Sequence, residues 1–294
     1  MLFGLGEGIG YIIWNMKNME IPFIGGRIKP DMLTVNLFKN LDVTMEVYET
    51  TSEVRAWEML KKEIDAQKVV GLKLDCYYLE CFKRKFHFAV PYIAMYGYDN
   101  EKAYIVDTQQ QGGLVETSLN NLALARNAKR PMLSHNRMYT IKALDDVIDI
   151  KKAILPAMQR NAFEYLHPSI QNLGYKGIIK TASEVKKWFM KEYAATDFCS
   201  LAMLMEKTGT GGGLFRNLYR DFIKESFNIL KMKELKEIQI VFSDIAEKWT
   251  VVATLFGKAG KSGNIQFMHT ASVTLEKLAQ LEKKAFSGIL NIKT

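Results

Sequence analysis

A histidine at position 87 and an aspartate at position 107 bracket HFAVPYIAMYGYDNEKAYIVD, two apolar β-like runs around a turn. A carboxylate that orients an imidazole is the pair that makes a general base, and with a thiol it makes a nucleophilic site. The register can be worked out from the residues. A three-residue loop at Tyr98-Asp99-Asn100 would pair Gly97 with Glu101 and set Asp107 opposite Pro91. His87 then lies four residues further on, about 13 Å away at roughly 3.3 Å per residue, although both positions share a face. An oriented base needs contact at roughly 2.6–3.2 Å. His87 therefore reaches Asp107 only if a bulge shortens the gap. Pro91 removes a ladder donor and marks an edge or a bulge. The plainer alternatives are a histidine at a strand start and a turn-initiating Asp107 before Thr108-Gln109-Gln110-Gln111-Gly112-Gly113.

The chain holds three cysteines. Cys76 and Cys81 flank Tyr77-Tyr78-Leu79-Glu80 in a strand-like run, and their separation places them on opposite faces of a strand. It does not fit a C-x-x-C redox or zinc motif. Cys199, in TDFCSLAML, sits near a helix start, where the dipole can lower a thiol's pKa. Each is read as a buried, inert thiol. His135, His167 and His269 are too dispersed for a metal-ligand pair, so no metal or cofactor is expected. A second candidate is the glycine cluster Gly209, Gly211, Gly212 and Gly213 followed by Arg216. It could cap one helix and offer the next helix's amides as an anion nest with Arg216 as the clamp. It could equally be a helix connection. It lacks the G-x-x-x-x-G-K-[ST] pattern of a nucleotide loop.

The elements that must position these residues change character near residue 140. Before it, turn signals alternate with β-rich runs at 21–31, 45–51, 69–79, 88–98 and 103–107. Residues 53–65 read as an amphipathic helix carrying Val54, Trp57, Leu60 and Ile64. After it the period is helical: 144–166 with a break or restart at Pro156, then 182–193, 199–207, 214–231, 235–256 and 272–289. The expected fold class is α+β, with a mixed domain at 1–140 and an α-helical domain at 141–294. The 48% of hydrophobic residues suffice for a substantial core.

LFGLGEGIGYIIW at 2–14, VVGLKLDCYYLECF at 69–82, the 87–107 hairpin and TGTGGGLFRNLYRDFIKES at 208–226 together resemble the butirosin biosynthesis protein H family over nearly the whole chain. The resemblance implies a papain-like, bacteriocin-peptidase-like N-terminal domain followed by a helical one. It implies a cysteine acyltransferase of aminoglycoside-type specialised metabolism that moves an aminoacyl group from a carrier-protein thioester to an amine. In that family a Cys-bearing helix precedes the LFGLGEG segment, and a histidine follows the HFA tripeptide. Here the first helix is expected to be lacking before Met1, and Pro91 stands at the histidine's place. Asp107 is thus the retained member of the catalytic set, with His87 a weak substitute. The expectation is an inactive relative, a pseudoenzyme.

Charge separates the partners that remain. The net charge is +8, and residues 151–294 carry 22 Lys+Arg against 13 Asp+Glu. A basic half attracts acidic partners, and the resemblance implies an acidic acyl carrier protein and a small-molecule amine acceptor. The alternatives are a non-catalytic binder of a carrier protein or acylated ligand, and a basic nucleic-acid binder. Pairs such as Lys186-Lys187 and Lys283-Lys284 are scattered and not interleaved with aromatics, which disfavours nucleic acid. The cysteine pattern suggests a reducing cytoplasm. No signal peptide or membrane-spanning stretch is expected.

Overall fold

The computed structural model describes residues 1–15, 22–82, 92–108, 112–129, 134–142, 148–191, 194–207 and 211–293. In chain order these residues form α1 (Leu2–Leu5), β1 (Ile9–Trp14), β2 (Phe23–Arg27), α2 (Pro30–Asn40), β3 (Met45–Tyr48), α3 (Glu53–Asp65) and β4 (Val70–Lys73). A single 3-10 turn (Cys76–Tyr78) follows, then β5 (Tyr92–Tyr98), β6 (Lys102–Val106), β7 (Leu114–Ser118), α4 (Leu119–Arg126) and β8 (Met138–Ile141). The remainder is helical: α5 (Ile150–Leu166), α6 (Gly174–Phe189), α7 (Ala194–Lys207), α8 (Gly213–Leu230), α9 (Lys233–Ser262) and α10 (Gln266–Leu290). The protein is mixed α+β, with a sheet-bearing part and a helical part.

The division between them is not at residue 140. One compact unit is Met1–Asp42 together with Ile148–Thr294, and the other is Val43–Val147. The reason is where the first residues bury their apolar side chains. Leu5, Ile9, Tyr11, Ile13 and Ile24 join one core with the side chains of α5 to α10. The antiparallel pair β1–β2 is therefore part of the helical unit. Glycine permits the close packing: a Cβ at Gly4 would lie 2.0 Å from the Phe222 ring. Around Phe222, the buried rings of Tyr219, Phe242 and Phe286 pack with centroids 5.0 to 5.9 Å apart. Pro156 does not break α5. Both Pro156 and Lys152, whose carbonyl loses its donor, are exposed, so water can serve that carbonyl.

The second unit is a six-stranded sheet in the order β3-β8-β4-β5-β6-β7, antiparallel at every pairing. α3 lays Ala56, Leu60 and Ile64 inward at helical spacing, and the Ser52 hydroxyl caps it by accepting from the Arg55 N–H at 3.3 Å. Leu60, Leu72, Ile93, Met95, Ile105 and Leu122 share its core.

The hairpin register differs from the one expected. Its loop is Asp99-Asn100-Glu101, because the Asp99 carboxylate accepts from the N–H groups of Glu101 at 2.8 Å and Lys102 at 2.7 Å, a side-chain-closed turn. Tyr98 then faces Ala103 and Gly97 faces Tyr104, and beyond a bulge Met95 faces Ile105 and Ala94 faces Val106. Continued by one residue, this register sets Asp107 level with Ile93 and not with Pro91. His87 and Pro91 lie outside the described residues.

Candidate active-site region

Asp107 leaves the end of β6 and opens the turn into β7. Its N–H donates to the Gly113 carbonyl at 2.9 Å, and the Gly113 N–H returns to the Thr108 carbonyl at 3.1 Å. Gly112 and Gly113 take positive φ, 109° and 72°, which glycine adopts without strain. One carboxylate oxygen, Oδ1, accepts from the Thr108 N–H at 2.6 Å. The other, Oδ2, is buried with no hydrogen-bond partner among the described residues. A buried acceptor in that state is costly, and it is the kind of group active sites retain.

The cysteines are not on a strand. β4 ends at Lys73, and Cys76 lies in the 3-10 turn that Asp75 initiates by accepting from the Tyr77 N–H at 3.0 Å. The turn brings the Cys76 thiol into the electrostatic range of Asp107. Burial pushes that thiol up to about 11, and the Asp75 carboxylate, Asp107 and Cys81 push it the same way, while a backbone hydrogen bond lowers it. A nucleophilic thiol needs the opposite surroundings, a nearby cation or helix N-terminus. The surroundings of Cys76 therefore favour the protonated thiol. Cys199 is separate, on α7 in the helical unit, where its Sγ lies 3.9 Å from the Gly257 carbonyl.

Arg216 is not an anion clamp. It is completely buried and forms a two-point pair with Glu282, Nε to Oε1 at 2.9 Å and Nη2 to Oε2 at 3.0 Å, while Nη1 donates to the Gly26 carbonyl at 3.1 Å. Trp249 Nε1 donates to the same carboxylate at 2.6 Å, the Tyr165 hydroxyl also donates to it, and the guanidinium stands 4.9 Å from the Trp249 ring centroid. The glycines serve close packing. A Cβ at Gly211 would meet Ile24 at 2.5 Å, one at Gly212 the Met205 carbonyl at 2.6 Å, and one at Gly213 the Thr250 hydroxyl at 2.6 Å. The Gly213 N–H at the start of α8 already donates to Glu206 at 3.2 Å, so the chain's own carboxylate occupies the nest. Gly209 lies outside the described residues.

Glu7, in the LFGLGEG segment, was not singled out from the sequence. It is buried at positive φ, 56°, and accepts from Arg160 Nε at 2.9 Å and Asn40 Nδ2 at 3.0 Å. An acidic residue between two glycines in an apolar run was the available signal. Among the described residues no cluster of three or more His, Cys, Asp or Glu could hold a metal ion. No described helix is long and apolar enough to cross a membrane.

A six-stranded antiparallel sheet with Asp107 at the end of β6, and a second unit built mainly of helices, define a two-unit α+β protein. Two family comparisons match it: butirosin biosynthesis protein H, N-terminal, over residues 1–108, and a domain of unknown function, DUF4872, over residues 120–289. The chain carries the N-terminal domain of the butirosin biosynthesis protein H family and, over more than half its length, belongs to the DUF4872 family; the first of these suggests a butirosin-biosynthesis-related protein. Curated proteins give no match. The first match runs across both structural units, and the second begins at α4, inside the sheet-bearing unit.

Proposed function

We propose that this protein is a papain-derived, non-transferring relative of the butirosin H acyltransferases, one that binds an acylated acidic carrier protein. The observation that carries this reading is the state of Cys76, the buried thiol in the turn after β4. A thiol pushed up to about 11 is almost wholly protonated near neutral pH and cannot attack a thioester at a useful rate. Pro91 at the position of the family's histidine supports the same reading.

The helical unit supplies the docking charge. It contains 26 Lys+Arg against 18 Asp+Glu, while the sheet-bearing unit has 14 of each. The whole excess of +8 therefore falls on one unit, and an acidic carrier is drawn there by long-range attraction.

Fluorescence anisotropy of a labelled aminoacyl carrier protein tests the binding half of the proposal. Binding at low salt that weakens by at least about tenfold as salt shortens the screening length below 10 Å is expected. Absence of binding at low salt would remove the reading. The transferase alternative has one observation in its favour, the unpartnered Asp107 Oδ2, which would suit a group brought in by an amine acceptor. Under that alternative the released carrier thiol would accumulate when an aminoglycoside amine is added.

A further inference from the structure

The sheet-bearing unit contains a second feature that the carrier reading does not use. Arg126, the last residue of α4, is 3% exposed. Its Nη2 donates to the Ala56 carbonyl at 3.1 Å and approaches the Met138 sulfur at 3.9 Å, while its Nε–H is buried and has no acceptor. It forms no ion pair among the described residues. Burial alone pulls the guanidinium down to about 10, with no neighbouring charge contributing. Isolated buried charges are rare because desolvation is expensive, and those that persist are paired or bind ligands.

Arg126 lines a cavity of about 350 Å³ between α3 and α4. Trp57, Leu119 and Leu122 make its apolar wall. The size and the apolar lining with few polar groups are those of a small-molecule pocket. We propose that this cavity binds a small carboxylic acid with an aromatic or aliphatic body, whose carboxylate is the counter-charge for the Arg126 guanidinium that lines it. A phosphate dianion fits less well. It would need several donors, whereas Asn136 Nδ2 already donates to the Thr50 carbonyl at 3.0 Å. Glu53, which also lines the cavity, repels a dianion about twice as strongly as a monoanion.

Isothermal titration calorimetry on the full chain tests this with sodium phenylacetate, sodium 4-hydroxybenzoate and sodium hexanoate, against phenylacetamide and inorganic phosphate. At least one of the three carboxylates is expected to bind, with phenylacetamide and phosphate silent. Arg126→Met should weaken that carboxylate at least tenfold. Ala123→Phe, which fills the cavity from an exposed helix position without touching the guanidinium, should weaken it as much. The second variant decides the matter if Arg126→Met does not fold. Silence of all three carboxylates, binding of phosphate alone, equal binding of the neutral amide, or unchanged affinity in Ala123→Phe would overturn the proposal.

Discussion

At the residue scale, surroundings can favour or oppose the ionised form of a side chain, and Glu80 and Cys76 show the two cases. Glu80 accepts from the Ser118 N–H at 3.2 Å, the Ser118 hydroxyl at 3.0 Å, Asn121 Nδ2 at 2.6 Å and the Thr117 hydroxyl. Partial burial pushes its carboxyl up, but these bonds outweigh that effect and hold it at about 2 against an ordinary 4.5. A lowered carboxyl stabilises the fold fully above its unfolded value and loses that contribution as pH falls from about 4.5 through about 2. Acid unfolding of the wild type should steepen in that window, and Glu80→Gln should flatten it. Equal acid limbs for the two proteins would show that the carboxylate is not held this way. Cys76 is the opposite case, a thiol raised by burial and by Asp75. Its alkylation by iodoacetamide should stay slow at pH 8 and accelerate only as pH approaches about 11. Rapid modification at neutral pH would contradict the assignment.

At the element scale, the Arg216–Glu282 pair joins α8 to α10 and collects bonds from Trp249 on α9, Tyr165 on α5 and the Gly26 carbonyl on β2. Removing one partner leaves the other charge buried and alone. Arg216→Met and Glu282→Leu should each cost about 3–5 kcal/mol, and the double variant less than their sum. Simple additivity in urea unfolding would mean the pair is not coupled. Sequence periodicity found α3 at its observed bounds and located α5 to α10 because each carries a long apolar stripe. It missed α2, which has no buried residue, and α4, only eight residues long. It misread Cys76 as strand because a 3-10 turn formed by Asp75 has no period to detect. Arg216 looked like a surface clamp because its partner is sixty-six residues away. Arg126 could have been flagged: with Leu119 and Leu122 it falls at the i, i+3, i+7 positions of one helix face, where a charge is out of place.

At the scale of the whole molecule, the order of the chain and the order of the fold differ. Residues 1–42 begin the helical unit, 43–147 form the sheet-bearing unit, and the chain then returns to complete the helical core. A break near residue 140 marks the change of period correctly but not the membership of the first segment, because apolar burial between distant segments leaves no local signal. The positive excess falls on the helical unit, +8 against 0 for the sheet-bearing unit, and under the proposed reading an acidic partner docks there. The central claim is that such a partner is bound without its acyl group being taken by a thiol. Intact-mass spectrometry of the protein incubated with an aminoacyl carrier thioester measures this directly. The account predicts unchanged mass and no carrier thiol released above background, and an acyl adduct on Cys76, Cys81 or Cys199 that disappears when that cysteine is replaced would contradict it.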